Sequence, residues 1–284
     1  MHVLSILSRE GEGEVMEQPP KKWRPQGGFW LWLLVTLGFV AVDILGTQFL
    51  RDATAILLID SLVRIAFGVL SIWLLVKYFD KGSWRNVIHV KNLSAALLAG
   101  GGVILLILME TIILFTKTPV SYWQELRSVP WQLLFAELIC QQVTTGFFEE
   151  SADRALLMEG YYQHGERSGK RRLVYSLLSA VMFGAMHLLA GFTTAAFAAL
   201  FGFAMAAIYL HSHNILVPML LHFLQDLVAH TTGYETELAM MQTPLWWMAH
   251  AIMIAWAVAF LLLPEKNPLC LRGGSGEAAG GIAE

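Results

Sequence analysis

An all-α, polytopic membrane protein of about eight transmembrane helices, with a polar cavity inside the membrane, is the fold class the sequence predicts. Three observations carry that prediction. Of the 284 residues, 56% are hydrophobic and only 14% charged, where an average soluble domain carries roughly 25% charged residues. Mean hydropathy is +0.56. Apolar stretches of about 20 residues, the length that crosses roughly 30 Å of hydrocarbon, recur along the chain. A water-soluble globule of this composition would leave too much apolar surface outside. Disordered, nucleic-acid-binding and ordinary cytosolic readings are therefore excluded.

The expected spans run approximately Phe29 to Leu50, Ala55 to Tyr78, Ser94 to Thr116, Trp131 to Tyr161, Leu173 to Ala190, Phe192 to Leu210, Ile215 to Thr231 and Leu245 to Leu263. The fifth and sixth nearly touch at Ala190 and Gly191. Trp30, Trp32, Trp84, Trp123, Trp131, Trp246 and Trp247 fall near span ends, where an amphipathic ring prefers the headgroup level. Ala198, Gly202 and Ala206 place a small residue at every fourth position, which lets a neighbouring helix approach closely.

Orientation follows from Lys and Arg, which are retained on the cytoplasmic side. With a cytoplasmic N-terminus, alternate segments separate cleanly. Fourteen of the 19 basic residues fall inside, in groups around Lys21, Lys77, Lys170 and Lys266. Only Arg51, Lys117 and Arg127 fall outside, and Arg64 and Arg154 lie within spans. The expected organisation is a cytoplasmic N-terminal tail (1–28), three helices and their loops (29–130), a polar core of four helices (131–231), a loop with the last helix (232–264) and a flexible cytoplasmic tail (265–284). Localisation is expected to be the cell membrane, or an endomembrane in a eukaryote, multi-pass with both termini cytoplasmic. The N-terminus reads as lacking a cleavable signal, because Leu4 to Leu7 is too short and Glu10, Glu12, Glu14 and Glu17 follow. Cys140 and Cys270 form no CxxC. Gly165 to Lys170 imitates a phosphate-binding loop with one residue too few, and reads as a basic cytoplasmic loop.

An ionisable side chain at membrane depth costs at least a few kcal/mol, so each is a functional candidate unless a structural partner is named. Three clusters stand out: Glu149, Glu150, Asp153 and Arg154 on the fourth span, Phe183 and His187 on the fifth, and His222, Gln225 and Asp226 on the seventh. At 1.5 Å per residue they lie roughly 10 to 21 Å from the cytoplasmic end, so their depths allow convergence. Glu150 and Arg154 are four apart on one helical face and form a supporting ion pair. Glu149 lies about 100° around the helix from Glu150, without such a partner, and is available as a base. It shares a face with Asp153, and two carboxylates in a dry setting tend to hold one proton between them. Asp153 is thereby a modulator of the proton affinity of Glu149. Asp60 and Arg64, also four apart, read as a structural pair, and with Glu110 they are the residues a proton-coupled carrier would use.

His222 and Asp226, four apart, can point at the same ligand as Glu149 and His187. A Glu and a His can polarise one water as nucleophile, while a second His and an Asp hold the developing oxyanion in a water-excluded site. Asp226 donates a hydrogen bond only when protonated. The candidate catalytic set is Glu149, His187, His222 and Asp226, with Glu150 and Arg154 as structural support.

These three clusters resemble the CPBP intramembrane proteases, the family of the Abi proteins and the type II CAAX prenyl endopeptidases (Ras-converting enzyme). That family carries EExxxR, FxxxH and HxxxN or HxxxD on successive core helices. This chain reads Glu149-Glu150-Ser151-Ala152-Asp153-Arg154, Phe183-Gly184-Ala185-Met186-His187 and His222-Phe223-Leu224-Gln225-Asp226. Ala155 stands where glycine usually follows the arginine, Asp153 replaces a typically apolar residue, and Asp226 stands where Asn is commoner. The resemblance spans about Trp131 to Thr231. It implies an intramembrane endopeptidase in which Glu149 and His187 activate water and His222 with Asp226 stabilise the oxyanion. The implied partners are the bilayer and a membrane-associated peptide or protein, of which prenylated C-terminal peptides are one class. No nucleic acid is implied.

Glu149, His187 and His222 would make a three-ligand zinc site with an open position for water. The chain has no HExxH, and the resemblance fits a glutamate-activated water without metal, which is the favoured expectation. The competing function is a non-proteolytic membrane binding, immunity or scaffold protein that uses the same pocket.

Overall fold

The computed structural model describes residues 26–79, 83–159, 169–232 and 234–264, and every regular element among them is helical. Helices α1 (Gln26–Thr47) and α2 (Ala53–Tyr78) form a hairpin whose second arm starts where the Asp52 carboxylate accepts from Ala55 N at 2.8 Å. Helices α3 (Leu93–Ala99) and α4 (Gly101–Lys117) meet at a 57° bend, and α5 (Val120–Ser128) follows α4. The stretch from Trp131 runs as an unbroken helical path. It consists of α6 (Trp131–Phe135), a π-helical stretch Ala136–Gln141, α7 (Gln142–Glu149) and a second π-helical stretch Glu150–Met158. Then come α8 (Gly169–Met186), α9 (Phe192–Ser212), α10 (Leu216–Thr231), α11 (Tyr234–Met241) and α12 (Pro244–Leu262).

Among the described residues four helices are long and apolar enough to cross a membrane: 27–47, 53–78, 192–212 and 244–262. The bent pair α3 and α4 makes a fifth if it is one span. The other three expected spans are present as helices, but they are the ones that carry the charged clusters or fall short in length. Helix α10 has 16 residues, about 24 Å. The boundary between the fifth and sixth spans is a true break. Helix α8 ends at Met186, a single 3₁₀ turn covers Leu188–Ala190, and Gly191 takes φ +114, a backbone conformation that L side chains rarely adopt.

Helix α9 is the axis of the fold, with every residue from Phe201 to Ser212 buried. It packs on α8, α12 and α3. Its small-residue stripe does what such stripes do: at Gly202 a Cβ would stand 3.0 Å from Cδ1 of Phe183, so the Phe183 ring lies directly on the α9 backbone. The α1–α2 hairpin lies along the path from Ala136 to Met158, and α7 packs on α10. At Gly146 a Cβ would come within 2.9 Å of Met219 O and 3.4 Å of His222 Cβ, so only glycine lets α7 and α10 approach this closely.

Two of the tryptophans expected at the headgroups are instead interior donors. Trp32 is 2% exposed and gives its Nε1–H to Asp153 Oδ1 at 2.5 Å, and Trp246 gives its own to Glu110 Oε1 at 2.9 Å. An indole N–H removed from water needs an acceptor, and a buried carboxylate supplies one. Trp30, Trp84, Trp131 and Trp247 remain exposed. The expected tails lie mostly (1–25) or entirely (265–284) outside the described residues, as do Tyr161, Arg167, Cys270 and the start of the phosphate-loop look-alike at Gly165.

Candidate active site

The site is built on the junction between α7 and the second π-helical stretch, with α2, α8, α9 and α10 around it. π-Helical turns are rare and cluster at functional positions. Here one begins at Glu150, directly after Glu149.

His222 is the centre. Its Nδ1 lies 2.8 Å from Glu150 Oε1, and since an ionised carboxylate only accepts, Nδ1 carries the proton. Its Nε2 faces two further carboxylates, Glu149 Oε2 at 3.6 Å and Asp226 Oδ2 at 3.5 Å. Phe183 and Phe201 stand edge-on to its ring, with centroids 5.7 and 5.3 Å away. The expected Glu150–Arg154 pair forms, with Arg154 Nε 3.2 Å from Glu150 Oε2 and both side chains fully buried. Glu150 is thus shared between Arg154 and His222. The Arg154 guanidinium lies over the Phe183 ring at 4.7 Å, which puts a cation on the aromatic face.

Asp153 is fully buried, between Trp32 and Arg154, whose Nη1 lies 3.7 Å from Asp153 Oδ2. It is close enough to Glu149 for their charges to interact, but its direct partners are these two. Glu149 has a partner that four-residue spacing within its own helix could not reveal: Arg64 of α2 brings Nη1 to 3.7 Å from Oε1. The Asp60–Arg64 pair is also formed, with Nε donating to both Asp60 oxygens at 3.0 and 2.9 Å.

His187 sits just past the end of α8. The last carbonyls of a helix have no amide partner within it, and His187 answers one of them: its Nδ1 is 2.8 Å from Phe183 O. A carbonyl only accepts, so Nδ1 carries the proton and neutral His187 keeps a lone pair on Nε2. The ring lies 4.8 Å from Phe183 and within electrostatic reach of Asp226. The helices thus bring Glu149, Glu150, Arg154, His222 and Asp226 into one contiguous network, and His187 packs against Phe183, whose ring also meets that of His222. Gln225 faces away from it, donating to Glu110 Oε2 at 2.5 Å. Sequence reasoning missed Arg64 as a neighbour of Glu149 and Trp32 as a neighbour of Asp153.

Among the described residues no three His, Cys, Asp or Glu side chains converge closely enough to hold a metal ion. In the set Glu149, His187 and His222, Nδ1 of His222 is engaged by Glu150 and its Nε2 faces Glu149 Oε2 at 3.6 Å.

No curated protein and no solved structure matches the chain. A family model does: residues 130–228 match the type II CAAX prenyl endopeptidase Rce1-like family. The match takes in Glu149, His187, His222 and Asp226, and leaves Trp32, Arg64 and Glu110 outside it. Over residues 130–228, therefore, the chain is similar to the type II CAAX prenyl endopeptidase Rce1-like family.

Proposed function

We propose that this chain is a multi-pass intramembrane endopeptidase that hydrolyses a peptide bond of a membrane-associated protein or peptide, with a prenylated CAAX-type C-terminus as the substrate class the family suggests. The observation that carries the proposal is the seating of His222: one ring nitrogen is fixed by Glu150 at 2.8 Å, and the other faces Glu149 and Asp226 at 3.6 and 3.5 Å. Eight spans with both termini cytoplasmic complete the reading, supported by the distribution of Lys and Arg.

In this mechanism water is held between Glu149 and the Nε2 lone pair of His187. Glu149 takes a proton from the water as its oxygen bonds to the scissile carbonyl carbon, and the carbonyl oxygen becomes an oxyanion. His222 acts as the imidazolium, with a proton on each ring nitrogen, so that its Nε2–H and a protonated Asp226 donate to that oxyanion, in a site screened from bulk water by Phe183 and Phe201. Glu149 then returns its proton to the leaving nitrogen as the C–N bond breaks. Glu150 and Arg154 take no part in proton transfer and hold His222 in place. No step runs through a metal.

The test is comparative proteomics of membrane-associated peptides from cells carrying the wild-type chain or Glu149→Gln, followed by cleavage of a prenylated peptide by purified protein. Accumulation of an uncleaved precursor with Glu149→Gln is the expected result. Cleavage that survives Glu149→Ala or His187→Ala in folded protein overturns the mechanism.

A further inference from the structure

Helix α2 lies outside the matched residues, yet it carries a guanidinium 3.7 Å from Glu149. We propose that Arg64 is a positioning residue for the reaction: it orients the Glu149 carboxylate towards the attacking water and offsets the negative charge crowded around it. The proposal rests on the endopeptidase reading given above.

Four features support it. First, Arg64 is itself held. Its Nε donates to both oxygens of Asp60, Gln141 Nε2 donates to Asp60 Oδ2 at 2.9 Å, and the guanidinium lies over the Phe39 ring at 5.1 Å. A guanidinium is a planar fork, so fixing its Nε edge against Asp60 fixes the direction in which its Nη groups point. Second, that direction is towards Glu149, with Nη1 3.7 Å from Oε1. Third, α2 is brought close enough for this by Gly68, one turn further on, where a Cβ would stand 2.7 Å from Phe147 Cδ1. Fourth, Glu149 needs it. Glu150 is the next residue, Asp153 is close enough for its charge to act on Glu149, and Arg154 is engaged by Glu150 and Asp153.

The two Glu149 oxygens therefore face cations from two different helices, Oε1 facing Arg64 of α2 and Oε2 facing His222 of α10. A carboxylate held at both oxygens has a fixed plane, and a fixed plane aims its remaining lone pairs at one place. At 3.7 Å the Arg64 contact is longer than a hydrogen bond, so it steers the carboxylate without occupying the lone pair that must accept a proton from water. Displacing a catalytic group by about 1 Å costs on the order of 100-fold in rate, which is the scale of effect that loss of Arg64 is expected to have.

The experiment uses full-length protein in nanodiscs, a farnesylated CAAX peptide with a fluorogenic scissile bond, and the variants Arg64→Gln and Arg64→Lys. The expected result is that Arg64→Gln lowers kcat on the order of 100-fold with KM within about twofold of wild type, and that Arg64→Lys recovers a large part of kcat. Equal kcat in Arg64→Gln and wild type overturns the proposal, as does a loss confined to KM. A double-mutant cycle of Arg64→Gln and Glu149→Gln on unfolding reads the pairing without activity. Non-additive effects support it, and additive ones overturn it. If the wild-type chain cleaves no prenylated peptide while the cycle still couples, the endopeptidase reading has failed and the orientation of Glu149 by Arg64 stands.

Discussion

Glu149 and Glu150 are adjacent in sequence and identical in chemistry, and the structure predicts opposite consequences for replacing each by Gln. Glu150 is 0% exposed, accepts from His222 Nδ1 at 2.8 Å and lies 3.2 Å from Nε of an equally buried Arg154. Glu150→Gln keeps the shape and an acceptor oxygen but leaves a guanidinium in the interior whose nearest remaining carboxylate is Asp153 at 3.7 Å. Removing one partner of a buried ion pair costs about 3–5 kcal/mol, and Asp153 offsets part of it, so a loss of about 3 kcal/mol is expected. Glu149 is 12% exposed, its nearest cations are at 3.6 and 3.7 Å, and its Oε2 has no hydrogen-bond partner. A contact that weak can cost about 1 kcal/mol or less when lost, and relief of repulsion from Asp153 opposes even that. The assay is reversible unfolding of purified protein in mixed micelles titrated with denaturing detergent and followed by tryptophan fluorescence, with peptide cleavage measured on the same samples. Glu149→Gln is expected to unfold with wild type and to cleave nothing, whereas Glu150→Gln unfolds about 3 kcal/mol earlier. Equal destabilisation by the two substitutions would refute the assignment of one to chemistry and the other to support.

His187→Gln is expected to abolish cleavage while costing about 1 kcal/mol of stability, the net worth of the bond from Nδ1–H to Phe183 O; retained turnover in the folded variant shows that His187 does not touch the water. Gly146→Val forces α7 off α10, because its Cβ would meet Met219 O at 2.9 Å; a loss of about 1–3 kcal/mol together with loss of cleavage is expected, and a wild-type unfolding curve contradicts the close approach. Trp32→Phe leaves a fully buried Asp153 oxygen without its indole donor and is expected to cost about 1–3 kcal/mol, read in the same unfolding assay; an unchanged midpoint removes Trp32 from the support of the site. Prolonged dialysis against a strong chelator is expected to leave the cleavage rate unchanged, and loss of activity restored by zinc alone overturns the metal-free step.

The sequence by itself determined what depends on neighbours along the chain. Hydropathy marked where helices lie and Gly191 where two of them break, because a helix is decided within a few turns by local propensity and caps. The Glu150–Arg154, Asp60–Arg64 and His222–Asp226 pairs were legible for the same reason, since four-residue spacing puts two side chains on one face whatever the helix packs against. The distinction between spanning helices and helices that carry the site was blurred, because the charges that make α7 and α10 chemically useful also lower their hydropathy.

Only the tertiary structure decided which faces meet. Trp32 reaches Asp153 across 121 positions and His222 reaches Glu150 across 72, and in each case two helices had to be brought side by side before the contact existed. Arg64 looked complete beside Asp60, and Trp32 looked like a membrane-surface ring, because a side chain that bonds within its own turn or sits near a span end gives no sign of a second partner. For Glu149 and His222, glycines at positions Gly68, Gly146 and Gly202 set how close the surrounding helices come. Such distances are a property of packed pairs of helices and are not written in either helix alone.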